Sequence, residues 1–171
     1  MVMMLEEVRG TMSMEDLSSV LWHERELLDL LVFKLETEQL VLASGRTRHL
    51  GRAAKEVETV LEAIREAELS RAVGVSSVVA GLGLPDDPSL RQLVETAPEP
   101  WSTIFADHLD AFTTAMAEIT ALAESNRDLL TAGHRAVRET LAAMQDVDTP
   151  TYGADGTAET GRRSRNIDRS M

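Results

Sequence analysis

Residues 101–145 read WSTIFADHLDAFTTAMAEITALAESNRDLLTAGHRAVRETLAAMQ. Large apolar side chains recur in this stretch at Trp101, Phe105, Leu109, Phe112, Met116, Ile119, Leu122, Leu129, Val137, Leu141 and Met144, with Asn126 and Gly133 in the same register. Steps of three, four and seven place them on one face of a helix. No proline interrupts the run, and Pro100 stands just before it, where a helix tolerates the missing N–H. At 1.5 Å per residue this helix extends roughly 65 to 70 Å. A single apolar face of that length needs other helices to cover it, so the stretch decides an all-α fold.

The preceding residues supply the partners. Ser13 reads as an N-cap, with Glu15 and Asp16 in the first turn. From there Leu17, Leu21, Leu28, Leu31, Leu35 and Leu42 keep a helical period, and Val20, Leu27, Phe33, Leu40 and Val41 widen the stripe. Ser44-Gly45 ends this helix. A second stripe follows at Leu50, Ala54, Val57, Leu61 and Ile64, then Ala67 or Glu68, and the short connection predicts an antiparallel hairpin. Residues 73–84 are rich in Val and Gly, as a strand would be, but a lone strand has no partner here. Helix to about Ala80 is the better reading. Ser89-Leu-Arg-Gln92 fits a capping box and starts a short helix that stops before Pro98. The expected architecture is an elongated antiparallel bundle of three long helices plus that short one, with Leu28, Leu31, Leu61, Ile64, Phe112 and Ile119 in its core. Residues 1–12 read as a flexible N-terminus, 13–145 as the helical domain and 146–171 as a disordered tail, because almost no large apolar side chain follows Gln145.

Composition agrees and narrows the function. Among 171 residues there are three Phe, two Trp and one Tyr, and no Cys. A disulfide scaffold, a thiol nucleophile and a thiolate zinc site are therefore excluded. The net charge of −12 disfavours broad binding to a phosphate backbone. The sequence has no apolar run long enough to span a bilayer and no basic start followed by an apolar segment, so a cytoplasmic location is expected.

Catalytic and cofactor motifs are missing. None of His23, His49, His108 and His134 lies three residues after a Glu, so the di-iron bundle pair is not formed. Gly81-Leu-Gly83 lacks the third glycine of a dinucleotide loop, and there is no P-loop. Arg25 and Lys34, the cations of the first helix, are nine residues apart and face opposite sides, which does not suit a mutase-like site for a dianion. No enzyme activity, cofactor or metal is expected. Asn126 is the informative polar residue on the apolar face: a buried amide would fix helix register, whereas an exposed one would touch a partner. Tyr152, the single tyrosine, is either incidental or an aromatic anchor within a docking motif.

In order along the chain stand Leu-x-x-Glu-x-x-Leu-Leu at Leu21–Leu28, Glu-Ala-Glu-Leu-Ser-Arg at Glu66–Arg71, a short Leu90-containing helix before a proline, Asn126-Arg-Asp-Leu-Leu130 and Tyr152-Gly153. With these features the chain resembles the FlgN-type flagellar export chaperones over residues 14–156. A second Asn frequent in that family is Ala123 here. The resemblance implies a cytoplasmic helical chaperone that binds the C-terminal segments of hook–filament junction (hook-associated) proteins and delivers them to the cytoplasmic domain of the type III export gate. It implies client contacts on the last helix, for which Phe112, Met116, Ile119, Asn126, Leu129, Leu130 and Val137 are the candidates, and gate docking through Tyr152 and Gly153. The competing reading is a self-assembling helical structural or adaptor subunit.

Overall fold

The computed structural model describes residues 12–85, 88–147, 151–152 and 158–159. Helices α1 (Met14–Ala43), α2 (Leu50–Leu82), α3 (Leu90–Thr96) and α4 (Trp101–Val147) follow one another, with a 3₁₀ turn at Thr47–His49. Caps set the starts. Ser13 Oγ accepts from Asp16 N at 3.1 Å while Ser13 N donates to Asp16 Oδ2 at 2.9 Å, a complete capping box. Ser89 and Gln92 repeat the arrangement at α3, with distances of 3.3 and 2.8 Å. Gly45 and Gly83 close α1 and α2 at φ +67°, a left-handed conformation in which any side chain would be strained.

The chain divides into two compact units, Met1–Leu129 and Leu130–Met171, and α4 contributes to both. Within the first unit, Glu24 pairs with Arg71 and Lys34 with Glu56, so α1 and α2 run antiparallel. Ser18 faces His108 and Leu35 faces Asn126, so α1 and α4 run in the same direction. The all-α bundle expected from the sequence is therefore present. Its core has two clusters. One joins Leu17 and Leu21 to Val75, Val78, Val79, Leu93, Ala97 and Phe105. The other joins Leu31 and Leu35 to Val57 and Val60, with Leu61, Ile64, Ile119 and Leu122 half-buried against it.

Several sequence expectations shift in detail. The Val-rich segment at 73–84 is helical to Leu82 and supplies the deepest part of the core, because Val75, Val78 and Val79 share one helical face. Leu28 and Leu31 are buried, but Leu61, Ile64, Phe112 and Ile119 are only half-buried. The face of α2 that is buried centres on Ala53, Val57, Val60 and Ala67, with Glu68 exposed. Phe33 and Leu40 widen the α1 stripe past its covered part and stand exposed. Beyond α4, Thr151–Tyr152 and Ala158–Glu159 pair antiparallel, Thr151 opposite Glu159 and Tyr152 opposite Ala158. Residues 146 and 147, expected in the disordered tail, instead continue α4; the rest of that tail and the N-terminus to residue 11 lie outside the described residues.

Candidate functional site

Helix α4 positions every client-contact candidate named above. In the first unit it turns its polar inward residues to α1. Asn126 is 5% exposed, and its Nδ2 donates to Leu35 O and to Glu38 Oε2, each at 3.0 Å. Gln39 Nε2 donates to Ser125 Oγ at 2.8 Å beside it. The amide nitrogen therefore ties α4 to α1, as a register-fixing polar residue on an apolar stripe would, while its Oδ1 has no hydrogen-bond partner among the described residues.

His108 is the second inward polar residue, 1% exposed. Its Nε2 lies 3.4 Å from Ser18 Oγ, and its ring meets Trp22 edge-on and stacks on Phe112. Nδ1 has no hydrogen-bond partner among the described residues. Burial pushes the imidazole below its ordinary value, with the nearby Arg25 charge acting in the same direction and Asp107 against it. Arg25 itself lies over the Trp22 ring and pairs with Asp107 at 2.8 Å. This assembly packs α1 against α4. Its one sign in the sequence is the register that places His108 beside Phe105 and Phe112 (steps of three and four).

The other candidates separate. Phe112 packs against the first core cluster and Ile119 against the second. Leu129 is half-buried, and Met116 is half-exposed beside a cavity of the first unit. In the second unit Leu130 and Val137 are exposed, as are Leu141 and Met144, which were read as periodic but not named as candidates. At 100° per residue these four fall within a sector of roughly 60°. Every described side chain from Leu130 to Met144 is exposed, and none belongs to either core cluster. The arrangement is an uncovered aliphatic stripe of four side chains on a helix, with His134 next to it in the same register and Glu139 on the opposite face. A stripe of this spacing is one on which an amphipathic helix can lie. Tyr152 belongs to the short strand pair, and Gly153 lies outside the described residues.

No described helix is long and apolar enough to cross a membrane. Among the described residues no group of three His, Asp or Glu side chains could hold a metal ion. A comparison with family models matches the chain over residues 12–160 to the family described as FlgN protein. No curated protein and no solved structure matches the chain.

Proposed function

The chain belongs to the FlgN family of flagellar export chaperones, and from that premise we propose that it holds the C-terminal segments of hook-associated proteins on the uncovered stripe of α4 and hands them to the export gate. The observation that carries the reading is the exposure of Leu130, Val137, Leu141 and Met144 along one helical face. An unfolded client segment that becomes a helix on binding lays its own apolar face on such a stripe. Leu and Met side chains adapt to varied partners, which suits a chaperone with more than one client. Ordering the client opposes binding, so affinity stays moderate and release remains easy. Phe112, Ile119 and Asn126, assigned by resemblance to the same role, act on this reading mainly by holding α4 against the rest of its unit.

Gate docking is assigned to Tyr152 and Gly153. An aromatic anchor contributes on the order of 2 kcal/mol at a contact of this kind. Tyr152→Ala should therefore weaken association with the gate's cytoplasmic domain by about tenfold or more and leave client binding intact. Paired titrations against a client C-terminal peptide and against the gate domain check this. Equal gate affinity for both proteins removes Tyr152 from docking, and lost client binding places the tail in the client site instead. Concentration-dependent self-association without client, seen by sedimentation, would favour the structural-subunit reading.

A further inference from the structure

A cavity of about 480 Å³ opens in the first unit, walled by Leu17, Leu21, Leu28, Ile64, Leu93 and Phe112. This volume falls in the range of roughly 300 to 1,000 Å³ typical of ligand sites. Three charged side chains border the apolar walls: Glu24, Glu68 and Arg71. Glu24 is 8% exposed, and Arg71 Nε donates to its Oε1 at 3.0 Å. That pair satisfies itself. Glu68 is exposed and forms no ion pair among the described residues, and its charge bears on Glu24. The cavity therefore carries one carboxylate more than it has cations.

We infer that this cavity is a docking site separate from the α4 stripe, and that it takes an apolar segment of a partner protein carrying one lysine or arginine. The aliphatic walls select the apolar part, since removing such surface from water drives association. The uncompensated Glu68 selects the sign of the charge. A neutral segment leaves that carboxylate unmet in an environment made drier by binding. An acidic segment meets two carboxylates, while the one guanidinium is already engaged by Glu24. A cation next to Glu68 offsets the excess and also eases the buried Glu24, whose carboxyl is held above its ordinary value by burial, in part offset by Arg71. None of the cavity residues belongs to the 130–144 stripe, so the two sites can fail independently.

The test uses the full chain with labelled methyl groups and three synthetic twelve-residue peptides of Leu, Met and Ser that differ at one central position: Lys, norleucine or Glu. The lysine peptide should move the methyl signals of Leu17, Leu28 and Leu93, and the glutamate peptide should bind about tenfold more weakly or worse. Because Glu68 is exposed, Glu68→Lys should fold normally, weaken the lysine peptide by about tenfold and strengthen the glutamate peptide. Glu68→Gln, with an unchanged thermal melt, should give an intermediate loss. Equal binding of all three peptides would overturn the proposal. So would shifts confined to residues 130–144, or cavity signals that move with protein concentration alone, which would make a second copy the occupant.

Discussion

The two parts of α4 carry the same hydrophobic period into opposite surroundings. From Trp101 to Leu129 the apolar face meets α1 and the core clusters, and Phe105, His108 and Asn126 are buried. From Leu130 to Met144 the period continues through Leu130, Val137, Leu141 and Met144, yet every described side chain is exposed. A hydrophobic stripe specifies that something must cover it. It does not specify whether the cover is the same chain or another one. In this protein the first part is covered from within, and no described residue covers the second.

The contrast can be broken most severely at Phe105, which is fully enclosed. Phe105→Ala should cost about 3 to 5 kcal/mol, because the cavity it leaves cannot collapse between packed helices. Denaturant unfolding followed by circular dichroism measures it, and a midpoint equal to the parent's would remove Phe105 from the core.

Asn126 should come next. Asn126→Ala deletes two hydrogen bonds to α1 and should cost about 1 to 3 kcal/mol. Increased hydrogen exchange in α1 near Leu35 should accompany that loss. A variant as stable as the parent would mean that the amide only occupies space.

A smaller effect is expected from pH. His108 has a folded-state value below its ordinary 6.5, so the unfolded chain takes up the proton first as pH falls. Its contribution is complete above about pH 6.5 and is lost as pH falls from there toward the depressed folded value. Glu24 acts in the opposite sense. Its carboxyl is raised above the ordinary 4.5, so the folded state protonates first and the cost of burying its charge is relieved as pH falls toward 4.5. Melts of the parent and His108→Gln between pH 8 and 5.5 separate the two. The parent should lose stability across pH 6.5 and below, and the variant should show a flatter curve. Parallel curves would show that His108 does not titrate differently on folding.

Much of the fold was legible in the sequence because its signals are local. Ser13, Gly45 and the Ser89–Gln92 box mark boundaries through groups within a few residues of each other, whereas the end of α2 at Gly83 was not marked in this way. The α1 stripe from Leu17 to Leu35 emerged as buried because five leucines recur with one period. Val75, Val78 and Val79 were harder to place, since β-branched residues also favour strands. The lack of a partner strand favoured helix, and the three valines pack with Leu17, Leu21, Leu93 and Phe105. The candidate site was only partly legible. Phe112, Ile119, Leu130 and Val137 look alike in sequence, and only packing against α1 and α2 separates the first two from the last two. His108 was invisible as a structural residue because its partners, Ser18 and Trp22, lie about 90 positions away.

On the proposed function residues 130–144 of α4 form the client surface, and one titration decides whether they do. The double variant Val137→Asp, Leu141→Asp alters two exposed positions and should melt within about 0.5 kcal/mol of the parent. The measurement is isothermal titration of both proteins with the C-terminal segment of a hook-associated protein. Two carboxylates set into the apolar stripe should weaken binding by about a hundredfold or abolish it. Parent-like affinity in a variant that folds normally would contradict the account and move the client to another face of the molecule.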